Sequence, residues 1–280
     1  MKATLEKTSI AVPGAIGALA VTATLEIPGD GPWFEGHFPG RPILPGVAEL
    51  TLAIAALRRE TGRPLPLRGI TFTRLRQLVL PGDRLELSAR EDNADQQGAA
   101  ARLRFDLKRD GVPIANGEFI VGDTAPAEIA TATAARGATE ERYPSPQALL
   151  PQHPPMCFLT RILGQHADTL DAIARIPQRC ALVCDGTAPA LALIEAAAQT
   201  AAAWEALRRR NTQGDAAPRV GYLVAMRDVD FFTVQIAAEQ EFAVSVTLDA
   251  AAPPLSRYRF EASRDGSMLA RGTLATFLAV

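Results

Sequence analysis

Histidine and cysteine are both scarce, with three of each in 280 residues. Cys157, Cys180 and Cys184 form an odd, widely spread set. That is no disulfide framework, and it fits free thiols in a reducing compartment such as the cytoplasm. Cys180 and Cys184 are spaced C-x3-C, but no further Cys or His completes a zinc set, so no metal is expected. Excess charge is lacking too. A net charge of -2 and a pI near 6.0 remove any global attraction to nucleic acid or an anionic membrane. No apolar run reaches the roughly 18 residues that a spanning helix needs without a charge or strong breaker. The Ala-rich stretch around residue 195 comes closest, and it carries Glu195. The N-terminus, "MKATLEKTSIAVPGAIGALAVTA", has the outline of a signal peptide. Glu6 and Pro13-Gly14 interrupt that outline, and "ALAVTATLEI" alternates like a strand, so it is expected to belong to the fold.

What is present suits an ordered, two-domain chain. The apolar fraction is 48% and the charged fraction 21%, enough to build a buried core. Residues 122–143, "GDTAPAEIATATAARGATEERY", carry little apolar pattern and read as a linker. The expected domains are 1–121 and 144–280. In the first, a strand is predicted over 16–27, a Gly/Pro loop over 31–45 and a helix from Pro45-Gly46 to about Glu60. Strands then follow in "LRGITFTRLRQLVL", "DRLELSARE", "AARLRFDLKRD" and "VPIANGEFIV", with a turn at Asp110-Gly111.

The second domain repeats this order. "CFLTRILGQHADTLDAIARI" gives two strands, and about 190–210 gives a long helix. "RVGYLVAMRDVDFF", "EFAVSVTLDA", "SRYRFEASRD" and "SMLARGTLATFLAV" give four more strands, with a hairpin at Asp265-Gly266. One helix and an antiparallel meander, twice over, is an α+β repeat. Both helices are apolar at most positions, which predicts burial on every side. A long sheet wrapped round each helix is the hotdog architecture, and two copies make a double hotdog packed as an intrachain pseudo-dimer.

The sharpest motif is "GHFPGRPILPGV", residues 36–47, with His37 inside a Gly/Pro-rich loop. It resembles the active-site loop of hotdog-fold 3-hydroxyacyl-acyl-carrier-protein dehydratases of fatty-acid synthesis. Within that group it resembles the dehydratases of aryl polyene and xanthomonadin pigment clusters. "LLPQHPPMCFLTRIL" and "LIEAAAQTAAA" in the second half resemble two further family segments, the latter an acid followed four residues later by Gln. The resemblance implies that a histidine and a helix acid 14 residues apart in sequence meet across two hotdogs, one from each.

Counted on this chain, the pair is split. Fourteen residues after His37 stands Thr51, and fourteen before Glu195 stands Ala181. One composite site is therefore expected, His37 with Glu195, and an inert mirror site at Thr51 and Ala181. Dehydration of a 3-hydroxyacyl thioester removes an α-proton and expels a β-hydroxide, so it needs a base and an acid. His37 titrates in the useful range. A carboxyl set among Ala, Leu and Ile, as Glu195 is, keeps its proton more readily than one in water. Pro189-Ala190 stands in the place of the family's Pro-Gly, which makes the Ala190 N–H the expected donor to the developing oxyanion. Gln199, one turn after Glu195, is expected to orient the carboxyl. Ala190, Gln199, Phe38, Gly40 and Gly46 are expected to contact substrate.

Other residues have plainer readings. Glu49 lies about 200° round the helix from Thr51 and is read as a helix-start acid that favours the dipole. His153 and His166 are read as non-catalytic. The run "LRRR" at 207–210 is read as a solvated helix end, with a phosphopantetheine or an acidic carrier protein as an alternative contact.

The function implied is conversion of a carrier-linked (3R)-3-hydroxyacyl thioester to its trans-2-enoyl form, without metal or redox cofactor. The acyl carrier protein is the expected partner, a ketosynthase is another, and assembly of pseudo-dimers into a homo-oligomer stays open. Two alternatives stay open as well: a hotdog thioesterase using Glu195 alone, and a non-catalytic partner subunit.

Overall fold

The computed structural model describes residues 20–92, 100–126, 143–214 and 218–279. The proposed start of the first strand at 16–19, the signal-like N-terminus and most of the expected linker lie outside them. The first half contributes β1 (Ala20–Glu26), α1 (Gly46–Thr61), β2 (Leu67–Leu75), β3 (Arg84–Asp92), β4 (Ala101–Arg109) and β5 (Val112–Val121). A short 3-10 helix, Pro146–Ala148, opens the second half. There follow β6 (Leu159–Gln165), β7 (Thr169–Arg175), β8 (Thr187–Pro189), α2 (Ala192–Gln213), β9 (Gly221–Phe231), β10 (Gln235–Ala237), β11 (Glu241–Ala252), β12 (Leu255–Arg264) and β13 (Ser267–Leu278).

The strands form because their side chains alternate. In β3 and β4, Leu85, Leu87, Ala89, Leu103, Phe105 and Leu107 are buried, while Arg84, Glu86, Arg102 and Arg104 face out. The Asp110-Gly111 and Asp265-Gly266 turns carry positive φ at both residues, as their sequences predict. The strand expected over 67–80 leaves the sheet after Leu75. The chain turns there toward Pro81-Gly82, and Val79 instead accepts a bond from the Leu44 N–H at 2.9 Å.

Eleven strands make one antiparallel sheet in the order β1-β3-β4-β5-β2-β9-β13-β12-β11-β7-β6. Set β6 aside, and the order is the same read outward from either side of the β2–β9 seam. The seam pairs Ile70 with Val229 and Thr73 with Met226. The α+β double hotdog is thus built, with its two halves fused into one sheet. The sequence reading had no counterpart for the small second sheet, in which β8 pairs with β10.

Each helix is enclosed as its composition requires. Val47, Leu50, Ala53, Ala56 and Leu57 of α1 are almost fully buried, as are Leu193, Ala196, Ala197, Ala203 and Trp204 of α2. Helix α1 stops at Gly62, whose φ of 67° is the left-handed conformation of a C-terminal cap. Among the described residues no helix is long and apolar enough to cross a membrane.

Candidate active site

His37 sits in a loop made rigid by its own backbone. Its N–H donates to the Phe34 carbonyl at 3.1 Å, and its carbonyl accepts from the Ile43 N–H at 3.1 Å. The ring is 8% exposed and stacks on Phe38, centroids 4.1 Å apart. The Nδ1–H donates to the Ile43 carbonyl oxygen at 3.0 Å. A carbonyl only accepts, so Nδ1 carries the proton and Nε2 keeps its lone pair. That tautomer is the one a general base needs.

The loop is pinned to the other half of the chain. Gly36 has φ +81°, and a Cβ there would lie 2.1 Å from the His153 carbonyl oxygen. Only glycine allows the approach, which the His153 N–H completes by donating to the Gly36 carbonyl at 3.0 Å. His153 itself is exposed, and so is His166 in the β6–β7 turn.

Glu195 is 4% exposed on the first turn of α2. Gln199 donates from Nε2 to Glu195 Oε1 at 3.0 Å and to the Met156 carbonyl at 2.6 Å, and its Oε1 accepts from the Phe158 N–H at 2.8 Å. The amide is fully used and fully buried, and it holds the Glu195 carboxyl. Two thiols near Glu195, Cys157 and Cys180, are pushed up to about 11, chiefly by burial. They remain protonated at neutral pH.

One cavity of about 90 Å³ is lined by both His37 and Glu195, 158 positions apart in sequence. It follows one face of α2 through Ala198, Ala202, Glu205 and Arg209. Fourteen residues of helix span about 21 Å, so the cavity is long and narrow. The alanines leave room where larger side chains would close it.

Several residues stand elsewhere than the sequence suggested. The Ala190 N–H is not free: it donates to the Val234 carbonyl at 3.1 Å, and Ala190 is absent from the cavity wall. The β8–β10 pairing brings Val234 there by setting Gln235 opposite Pro189. A free donor on the cavity wall is found at α1 instead. Among the described residues, no acceptor meets the N–H of Gly46 or Val47, and Gly46 lines the cavity. Phe38 supports the histidine ring from outside the wall, and Gly40 forms an exposed turn at φ +74°. Thr51, in the mirror position, is tied back to the Val47 carbonyl at 2.7 Å.

Glu49 and Arg209 also depart from their sequence readings. Glu49 is 3% exposed and lines the same cavity, rather than capping a solvated helix end. Desolvation lifts its carboxyl to about 8, and Oε1 has no partner among the described residues. Arg209 turns inward from "LRRR" to line the cavity's far end, with its Nε unpartnered. Among the described residues no group of three or more His, Cys, Asp or Glu is placed to hold a metal ion.

Two family descriptions match separate parts of the chain. Residues 17–118 match the ApeI-like family, described as ApeI dehydratase, and residues 144–279 the ApeP-like family, described as ApeP dehydratase. The 3-hydroxyacyl-acyl-carrier-protein dehydratase FabZ of Brucella ovis is 34% identical over 110 residues, 36% of this chain and 69% of the relative. FabZ of Myxococcus xanthus is 38% identical over 98 residues, 32% of this chain. The chain spans 63% of that relative, less than two thirds of its length. Two solved dehydratase domains share the fold over nearly the whole chain. That of PpsC from Mycobacterium tuberculosis has a TM-score of 0.64 at 15% identity, covering 100% of this chain and 99% of the other. That of a mycocerosic acid synthase-like polyketide synthase has a TM-score of 0.67 at 15% identity, covering 98% and 95%.

Proposed function

The chain belongs to the 3-hydroxyacyl-acyl-carrier-protein dehydratase family, and from that premise we propose that it dehydrates (3R)-3-hydroxyacyl thioesters to trans-2-enoyl thioesters at one composite site. The observation that carries this reading is the single cavity lined by His37 from one hotdog and Glu195 from the other. His37 Nε2 takes the α-proton, and the electrons of that C–H bond pass into the thioester as an enolate. The enolate oxygen accepts from the free N–H of Gly46, helped by the α1 dipole. As the enolate collapses, the C3–O bond breaks and Glu195, acting as the general acid, gives a proton to the departing hydroxide, releasing water. The proton held on His37 then returns through solvent to Glu195.

The long cavity along α2 suits an extended acyl or pantetheine chain. The substrate is proposed to arrive on an acyl carrier protein, in fatty-acid or aryl polyene-type biosynthesis in the cytoplasm. The Thr51 side is proposed to be inert, because it offers neither acid nor base. Division into domains 1–121 and 144–280 with a linker between is part of the same proposal.

The test is direct. Wild type should convert a (3R)-3-hydroxyacyl N-acetylcysteamine thioester to the conjugated enoyl form, followed by absorbance. His37→Ala and Glu195→Gln should each lower kcat by about a hundredfold or more, and Thr51→Val should leave turnover intact. Full activity in both of the first two variants overturns the assignment. Release of free thiol instead of the enoyl product indicates a thioesterase.

A further inference from the structure

Glu49 is a buried acid that the mechanism above leaves unused. It lines the cavity that His37, Glu195 and Gly46 share, and its Oε1 has no hydrogen-bond partner among the described residues. Packing does not ask for a carboxyl there. The pseudo-symmetric position in α2, two residues before the acid, is Leu193, which is fully buried. An apolar side chain is what this place in the fold takes when nothing else is required, and an unpartnered buried carboxyl is unfavourable.

Its direction matters as well. Glu49 follows Gly46 by three residues, so the two share a face of α1. Helical side chains lean toward the N-terminus, which carries the carboxyl back toward the free N–H of Gly46. We propose that Glu49 is a further catalytic residue, whose carboxyl donates a hydrogen bond to the thioester carbonyl oxygen beside the Gly46 N–H as that oxygen gains charge. This rests on the dehydratase reading. Burial lifts the carboxyl to about 8, so it holds the proton it must donate at neutral pH. A neutral acid in an apolar site donates to an oxyanion without adding negative charge. The other titratable side chains lining the cavity are His37, Glu195, Glu205, Arg209, Arg219 and Tyr222.

Two variants and two readouts test this. Glu49→Leu should lower kcat by about tenfold to a hundredfold with little change in KM, as expected for loss of a donor that acts mainly in the transition state. Glu49→Gln keeps an N–H donor and should recover most of that loss. Wild-type kcat should decline as pH rises through about 8, and Glu49→Gln should lose that component of the decline. Independently of turnover, the C=O stretch of bound, isotope-labelled butyryl-pantetheine should lie at higher frequency in Glu49→Leu than in wild type. Equal kcat and equal C=O frequency in wild type and Glu49→Leu overturn the proposal. If wild type shows the band shift without turnover, the dehydratase reading falls and the donor assignment stands. Should Glu49→Leu fail to fold, the pH profiles decide, and identical profiles for wild type and Glu49→Gln overturn it.

Discussion

The His153 N–H donates to the Gly36 carbonyl oxygen at 3.0 Å, and this bond ties the loop of His37, the proposed base, to the segment that holds Glu195, the proposed acid. From His153 the route is short. The Met156 N–H donates to the His153 carbonyl at 2.9 Å, the Met156 carbonyl accepts from Gln199, and Gln199 donates to Glu195. His37 and Glu195 are therefore linked by one hydrogen-bonded path running across the two halves.

Gly36→Ala should disturb this path at its first link. The new methyl group meets the His153 carbonyl oxygen at 2.1 Å in a backbone of φ +81°. The expected cost is about 1–3 kcal/mol in urea unfolding, and a fall in kcat that exceeds the change in KM, because the His37 ring shifts relative to Glu195.

Gln199→Leu should be worse than its conservative volume suggests. It strands the Phe158 N–H and the Met156 carbonyl, each worth about 1–3 kcal/mol when left buried without a partner. It also releases Glu195. Loss of both stability and kcat is expected, read by chemical denaturation and by single-turnover dehydration.

Gly46→Ala and Ala190→Gly separate the two helix starts. The first sets a methyl 2.4 Å from Leu75 Cδ1, which is the flexible end of a side chain, so the fold should survive while the oxyanion donor is displaced. A kcat loss on the order of tenfold is expected. The second leaves the bond to Val234 in place and should keep kcat, with a stability cost of about 0.5–1 kcal/mol. Steady-state kinetics of Gly46→Ala against wild type tests whether the α1 start carries the donor.

The stability of the chain should carry a signature of Glu49. Its carboxyl rises from 4.5 to about 8 on folding, so between those values the folded state holds a proton that the unfolded state has lost. Stability from this group is therefore greatest at low pH and falls as pH rises through the window, by about 1.4 kcal/mol per unit, levelling above pH 8. Glu49→Gln should abolish this component. Denaturation curves of both proteins across the window give the difference directly.

Much of this was legible in the sequence. Two helices apolar on all sides, alternating strands and Asp-Gly turns are local properties, and they placed nearly every large element. The proposed His37–Glu195 pairing rests on counting spacings on a motif, and both residues line one cavity. The identity of the free helix N–H on the cavity wall was not legible. Whether Ala190 is free depends on a carbonyl 44 residues away, delivered by two strands of three residues each, too short to carry a periodic signal. Glu49 was hidden for a related reason. A helical wheel gives its angle to Thr51, but not that the fused second half places a cavity against that side.

The β2–β9 seam has a consequence in mass action. A site shared between two separate subunits exists only as long as they stay associated, so dilution below their dissociation constant erases it. Here the partners are covalently one molecule, and each half meets the other at an effective concentration set by the chain rather than by the solution. Assembly of the site is first order in protein, so activity per chain should not depend on how dilute the protein is. Because each half always finds the same mate, each can carry one member of the pair and lose the other.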